Sequence, residues 1–109
     1  MTDSTDSIRA AARKLLSDWK GPRYAFGRGC LDEVATLTAQ VGKRALGVAN
    51  YSSPWLAPTV ATVADSIAGA GVEVVGCTEG ARPNAPREDV YRIADKIAEL
   101  QPGVVVAEV

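Results

Sequence analysis

The sequence of 109 residues contains no histidine, and this is its most informative absence. Without an imidazole the chain cannot build a Ser-His-Asp triad, a histidine-based metal site or an imidazole proton relay. Any reaction carried by this chain would depend on Asp, Glu, Lys, Tyr, Cys or a bound cofactor. The composition therefore argues against a self-sufficient hydrolase or metalloenzyme.

Cysteine is scarce as well, since Cys30 and Cys77 are the two in the chain. They lie far apart in the sequence and match no metal-ligand or redox spacing. The first seven residues, MTDSTDS, are polar and acidic and do not resemble a secretory signal. The sequence favours two reduced thiols in a cytoplasmic protein, with a disulfide as the less favoured alternative.

Neither an excess of charge nor a long apolar run is present. With 12 Lys and Arg against 13 Asp and Glu, the net charge of −1 gives no basic surface of the kind that binds nucleic acid. No apolar run approaches the roughly 18–20 residues that span a bilayer. The apolar fraction of 47% and the charged fraction of 23% are typical of one ordinary globular domain. We therefore expect neither nucleic acid nor a membrane as a partner.

Apolar residues recur at three- and four-residue spacing in four segments, which predicts four amphipathic helices. In the third of these, Ser53 is placed to cap the helix and Pro54 to occupy its first turn. The predicted helices cover residues 7–19, 31–42, 53–70 and 90–100.

Short apolar segments alternate with these helices and predict strands. The predicted strands cover residues 24–27, 45–49, 72–77 and 104–109. Such alternation indicates βαβ units, and hence an α/β fold with a mainly parallel sheet and right-handed crossovers. Between the third strand and the last helix the chain reads TEGARPNAPRED, a stretch whose prolines, glycine and asparagine predict a loop.

Ligands of open parallel sheets bind at the carboxyl ends of the strands, where this sequence has three candidate stretches. The first is GRGC, where Gly27 and Gly29 suggest a phosphate-binding turn. However, Asp32 stands where such a motif has its third glycine, and its carboxylate would repel a phosphate. A tight turn between a strand and a helix is the favoured interpretation.

The second stretch, ANYSS, places Asn50 at the tip of a central strand. In dinucleotide sites this position meets the adenosine ribose, and a carboxylate there favours NAD over NADP. The amide of Asn50 is neutral and would relax that exclusion. The alternative is that Asn50 ends the strand and tolerates a turn conformation.

The third stretch, TEGARPNAP, holds Asn84 in a rigid loop that could present its amide to the edge of an adenine. Arg82 and Arg87 flank it and could bind a phosphate. The alternative is a proline-stiffened loop with solvated arginines. The carboxylates of the following helix are predicted to form a solvated face, namely Glu88, Asp89, Asp95 and Glu99.

Taken in order, these stretches resemble the amino-terminal dinucleotide-binding domain of the iron-containing (group III) alcohol dehydrogenases, which are related to glycerol dehydrogenase and dehydroquinate synthase. The resemblance covers roughly residues 22–109 and is carried by five motifs, namely YAFGRG, LDEV, GKRALGVAN, AGVEVVG and RPNAPREDV. It implies a Rossmann-like three-layer domain in residues 22–109. An amphipathic helix in residues 1–21 precedes it.

The resemblance also implies a cofactor, NAD or NADP, bound on its adenosine side by Asn50 and Asn84. Because the family has an acidic residue at the position of Asn50, the amide leaves NADP open. In the family a divalent metal such as iron or zinc is held by an Asp and three His of a helical carboxyl-terminal domain. The resemblance therefore assigns no catalytic residue and no metal ligand to this chain.

In the family, the strand that resembles GVVVAEV runs into a Gly-Gly-Gly-Ser loop that cradles the cofactor pyrophosphate. We therefore expect an incomplete domain, and a gene that continues past Val109 with this loop and with later histidines. The main hypothesis is the amino-terminal portion of an NAD(P)-dependent, metal-dependent alcohol dehydrogenase-like oxidoreductase. Its expected partners are the dinucleotide and either a second copy of the chain or the carboxyl-terminal domain.

The alternative hypothesis is a free-standing α/β binding or oligomerisation module without catalysis. Such a module would self-associate through its open sheet edges and through the helix that carries Leu15, Leu16 and Trp19. A flavodoxin- or receiver-like domain is disfavoured, because the acidic cluster expected at its strand tips is absent from the sequence.

Overall fold

The computed structural model describes the backbone of residues 2–108 and the side chains of residues 4–108. The chain divides into two compact units, Met1–Cys30 and Leu31–Val109. The first unit contains helix α1, Thr2–Lys20, which begins five residues before the predicted helix and confirms it. Gly21 follows with a φ of +80°, and its N–H donates to the carbonyl of Ser17 at 2.8 Å. A glycine in this left-handed conformation is a common helix terminator.

The strand predicted at residues 24–27 is wrong, because this stretch is irregular and leads into a turn. A strand needs a neighbour whose backbone groups can pair with its own, and the described part of the first unit contains no strand. Gly27 and Gly29 have φ values of +141° and +73°, so the GRGC stretch is a turn, as favoured. A single 3-10 turn, Cys30–Asp32, connects it to the next helix.

The second unit is built from three helices and three strands. In chain order they are α2 (Glu33–Val41), β1 (Arg44–Val48), α3 (Ala57–Gly69), β2 (Glu73–Thr78), α4 (Arg87–Leu100) and β3 (Val104–Ala107). Within the described residues the strands form one sheet in the order β2-β1-β3, with both pairs parallel. This arrangement confirms the predicted α/β class.

The helices cover both faces of the sheet. On one face, Ala45, Ile67 and Val72 form a buried cluster that joins β1 to α3 and to the start of β2. On the other face, Leu46 is completely buried. Gly76 leaves room there for Leu100 of α4, since a Cβ on this glycine would lie 2.8 Å from Cδ1 of Leu100. The result is a three-layer, Rossmann-like arrangement with β1 at its centre.

Two details of the prediction need correction. Helix α3 begins at Ala57 rather than at Ser53, because the Ser53 carbonyl accepts the N–H groups of both Leu56 and Ala57 at 3.0 Å in a separate turn. Pro58, not Pro54, therefore occupies the first turn of the helix. In the described sheet β3 pairs with β1 alone, so the final strand lies at an edge of that sheet. None of the helices in residues 2–108 is long and apolar enough to cross a membrane.

Candidate nucleotide-binding groove

A groove of about 590 Å³ lies at the carboxyl ends of β1 and β2. Its walls come from the segment that follows β1 (residues 50–53), from the end of β2 and the segment that follows it (residues 78–83), and from Asp89 and Arg92 of α4. The sequence predicted that ligand-binding residues would gather at this edge. Two of the three predicted stretches meet in the groove.

Asn50 stands at the tip of the central strand, as predicted. The ladder extends one residue beyond β1, because the Ala49 N–H donates to the Thr78 carbonyl at 3.0 Å. Asn50 follows in an exposed position, and its carbonyl accepts the N–H of Ser53 at 3.1 Å, which closes a turn. Its side chain lies against Gly80, where a Cβ would approach Oδ1 of Asn50 to 3.2 Å. The glycine leaves space for the Asn50 amide.

Glu79 is a groove residue that the sequence analysis missed. It directly follows β2, and its carboxylate accepts the backbone N–H of Ser52 at 3.0 Å, which links the two loops. The available signal was its position, because a carboxylate at the end of a parallel strand points to the ligand-binding edge. This carboxylate can accept hydrogen bonds from hydroxyl groups, and its charge opposes a phosphate.

Arg92 of α4 is a second residue that the sequence analysis missed. Its guanidinium donates to the hydroxyl oxygen of Thr78 at 2.7 Å and to the carbonyls of Glu79 and Gly80 at 2.9 and 3.2 Å. These bonds satisfy backbone acceptors in the segment that leaves β2 and fix it against α4. Arg92 therefore positions the floor of the groove, because several of its donors are already engaged there.

Asp89 was predicted to lie on a solvated helix face, and this is wrong. It is 8% exposed, and its Oδ2 accepts both the backbone N–H and the Nε–H of Arg82 at 2.9 Å. These hydrogen bonds from Arg82 lower the pKa of Asp89. The guanidinium of Arg82, predicted as a possible phosphate ligand, is held by this carboxylate instead. Asp89 and Arg82 together anchor the proline-rich loop to the first turn of α4.

Asn84 lies in a turn that is closed by the Ala85 N–H and the Arg82 carbonyl at 2.9 Å. Pro83 precedes it, and its φ of +69° fits the third position of a type II turn, which favours glycine or asparagine. Asn84 is exposed and is not one of the residues that line the groove. The structure thus brings Asn50, but not Asn84, into the groove wall. Arg87 is exposed at the start of α4.

No group of three or more His, Cys, Asp or Glu side chains within the described part of the chain is placed to hold a metal ion. Both cysteines are free thiols, with Cys30 half-buried and Cys77 exposed, as the sequence favoured.

A parallel sheet between helices, with a polar groove at its carboxyl edge, is the arrangement of the Rossmann-like α/β folds, which bind their ligands at this edge. Residues 21–108 match the family described as iron-containing alcohol dehydrogenase. The chain belongs to the iron-containing alcohol dehydrogenase family. Membership implies an NAD(P)-dependent alcohol dehydrogenase-like oxidoreductase, with NAD(P) and, usually, iron as the family's cofactors. No curated protein and no solved structure gave a significant match.

Proposed function

We propose that this chain is the amino-terminal portion of an NAD(P)-dependent, metal-dependent alcohol dehydrogenase-like oxidoreductase. In this proposal residues 22–109 supply the adenosine side of the cofactor site, and the metal and the reacting centre belong to a carboxyl-terminal domain outside this sequence. The observation that carries the proposal is the groove at the carboxyl ends of β1 and β2, with Asn50 at the tip of the central strand.

The chemistry of the groove suits a ribose. The Asn50 amide can both donate to and accept from a hydroxyl group, whereas the Glu79 carboxylate can only accept. Gly80 lies beside Asn50 without a side chain of its own and so leaves the Asn50 amide its place in the groove wall. Asn84, in its turn outside the groove wall, would meet the edge of the adenine.

The position of Glu79 supports a preference for NAD. The family's acidic residue at the tip of the central strand is replaced by Asn50, which by itself would admit the 2′-phosphate of NADP. Glu79 brings a carboxylate into the same groove from the neighbouring strand. A carboxylate there repels a 2′-phosphate and accepts a hydrogen bond from a 2′-hydroxyl.

A titration of the ¹⁵N-labelled chain with 5′-AMP, NADH and NADPH, followed by NMR, tests the proposal because it detects weak binding. We expect the shifted amides to be those of residues 50–53 and 79–82. Asn50→Ala should reduce the shifts. Asn84→Gly keeps the positive φ of the turn and removes only the amide, so it reports separately whether Asn84 takes part. Shifts confined to other parts of the chain, or none at millimolar ligand, would contradict the proposal.

The exposed face of α1 favours a second candidate function, self-association. Ile8, Leu15 and Trp19 are 70%, 71% and 76% exposed, and with Ala12 they follow the 4-3-4 spacing of a coiled-coil seam. Residues 2–10 carry a net charge of −1 and residues 11–20 carry +2. These charges favour an antiparallel pairing with the α1 helix of a second copy.

Sedimentation velocity over a wide range of protein concentrations tests this second candidate. We expect a concentration-dependent dimer that Leu15→Asp abolishes. Ser17→Asp adds the same charge at an exposed polar position of the same helix and should leave the dimer intact. A monomer at every concentration would rule out self-association.

A further inference from the structure

A second cavity, which is apolar and partly open to solvent, lies between the sheet and the helices α2 and α3. Its volume is about 390 Å³, and its walls are almost entirely apolar. The sheet contributes residues of β1, β2 and β3 from the face opposite α4, and the helices contribute Val34 of α2 and several residues of α3. Tyr51 lines both this cavity and the dinucleotide groove, but the other lining residues of the two are different.

The cavity exists because small residues face each other across it. The side of β1 that looks towards α3 presents Ala45 and Gly47, and Ala49 continues it beyond the strand. From α3, Ala61 and Ala64 face the same space. Short side chains on both walls cannot meet in the middle, so the volume stays open.

Gly47 also limits how the cavity could be filled from the sheet. A Cβ on this glycine would lie 3.2 Å from Sγ of Cys77 on the neighbouring strand, which is tighter than an ordinary contact. The Cys77 side chain is exposed on one side and lines the cavity on the other. Burial, and secondarily the charge of Glu79, raise the pKa of the Cys77 thiol, so it remains a neutral, weakly polar part of the wall.

The charge around the cavity selects against anions. Glu108 is the one ionised side chain that lines it, and no lysine or arginine contributes to its wall within residues 2–108. A carboxylate or phosphate bound here would meet the Glu108 carboxylate without a compensating cation.

We propose that this cavity is a binding site for a small, neutral, apolar molecule. Its volume lies within the range of ligand pockets, about 300–1,000 Å³. Leu31, Tyr51 and Ala61 of its wall are exposed, so a ligand can enter from solvent. The site is formed by the packing of α2 and α3 on the sheet. The proposal does not depend on dinucleotide binding in the groove.

Toluene and benzoate form a matched pair of probes, since they have similar size and differ in charge. We expect toluene to bind with a Kd on the order of 1 mM and to shift the NMR signals of Ala61, Ile67 and Val106. Benzoate should bind at least tenfold more weakly. Equal binding of the two probes, no binding of toluene, or toluene shifts confined to the amides of residues 79–82 would overturn the proposal.

Two alanine-to-leucine variants on α3 locate the site. Ala64→Leu places a larger side chain in the cavity, and we expect it to weaken toluene binding at least tenfold. Ala68→Leu makes the same change at an exposed position of the same helix and should leave toluene binding unchanged. Unweakened binding of toluene to a folded Ala64→Leu variant would overturn the assignment. If Ala64→Leu does not fold, the comparison of toluene with benzoate on the unsubstituted chain still tests whether the cavity binds a neutral, apolar molecule.

Discussion

At the end of β2, the three consecutive residues Thr78, Glu79 and Gly80 make different contacts. Thr78 is buried and accepts a hydrogen bond from Arg92. Glu79 turns its carboxylate to the backbone of the neighbouring loop, while its own carbonyl is held by the same arginine. Gly80 leaves room for Asn50. The Glu79 carboxylate is thereby held in the groove, because both the side chain and the backbone carbonyl of Glu79 accept hydrogen bonds.

This arrangement makes Glu79 the residue that should decide between NADH and NADPH. We expect Glu79→Gln to strengthen NADPH binding relative to NADH by about tenfold, because it removes a negative charge near the 2′-phosphate. Glutamine keeps an oxygen that can accept the Ser52 N–H, so the loop should stay in place. Chemical-shift titrations with both dinucleotides measure the ratio of the two affinities.

The control for this change is Glu73→Gln, which removes the same charge from the opposite end of the same strand. Glu73 is exposed and lies 3.6 Å from Nη1 of Arg44, away from the groove. Glu73→Gln should leave the ratio of the NADPH and NADH affinities unchanged. If Glu79→Gln and Glu73→Gln give the same ratio as the unsubstituted chain, Glu79 does not discriminate between the cofactors.

The pair formed by Asp89 and Arg82 predicts how stability changes with pH. The pKa of Asp89 is lowered in the folded chain, so the unfolded state binds more protons in acid. The contribution of Asp89 is therefore complete above its unfolded pKa of about 3.9 and is lost as the pH falls through the lower, folded value. We expect Asp89→Asn to lower Tm by several degrees at pH 7 and to flatten the loss of stability below about pH 4.

Glu88→Gln is the matched control, since it removes a carboxylate from the adjacent, exposed position in the same helical turn. Thermal unfolding of both variants between pH 3 and pH 7 separates the Arg82 pair from a general effect of charge at the helix amino end. Equal losses of Tm in the two variants at pH 7 would show that the pairing with Arg82 contributes nothing specific.

At the scale of elements, the order of helices and strands in the second unit could be predicted from the sequence because each element carries its own periodicity. Residues 24–27 have the composition of a strand, but a strand also depends on a partner that composition does not show. The start of α3 was misplaced because Ser53 and Pro54 form a turn that has the same residue types as a helix amino end.

The same reasoning applies to the groove. The sequence located Asn50 because a residue that follows a buried strand must lie at the carboxyl edge of the sheet. The sequence did not reveal that Asp89 and Arg92 form hydrogen bonds at the groove. Their partners are seven and more residues away, and the contacts depend on how α4 packs against β2. Charged residues at helical spacing look alike whether they are solvated or paired.

A close backbone contact between elements gives a sharper prediction. Gly42 ends α2 beside Gly103, which precedes β3, and a Cβ on Gly42 would lie 2.9 Å from the Gly103 carbonyl carbon. We expect Gly42→Ala to lower the free energy of unfolding by roughly 1–3 kcal/mol, since neither backbone can move without disturbing the sheet. Its φ of −164° suits any residue, so the cost is purely steric. Urea denaturation measures the change.

Gly69, the last residue of α3, provides the opposite case. A Cβ there meets nothing within 4 Å, so Gly69→Ala should raise the free energy of unfolding by about 0.5 kcal/mol through helix propensity alone. Destabilisation by both substitutions would indicate that loss of glycine as such, and not the contact with Gly103, determines the effect at Gly42.

At the scale of the whole molecule, the sheet shapes what this chain can bind. The carboxyl ends of the strands meet at one edge, where the groove lies. Among the described residues near Asn50, the Glu79 carboxylate is the one charged group that faces a ligand in this groove. The cations at the groove, Arg82 and Arg92, are engaged by Asp89 and by loop carbonyls. The groove therefore offers hydroxyl-binding groups without a dedicated partner for phosphate.

This balance predicts that the chain alone binds dinucleotides weakly. In related sites the pyrophosphate is held by backbone N–H groups of a glycine-rich turn, and this sequence contains no run of three glycines. We expect a Kd on the order of 1 mM for NADH and no tighter binding than that of 5′-AMP, because both ligands would be held by the ribose and adenine alone. Isothermal titration calorimetry with NADH, NADPH and 5′-AMP makes the comparison. Sub-micromolar affinity for either dinucleotide, or NADH binding far tighter than 5′-AMP, would show that these residues hold the pyrophosphate after all.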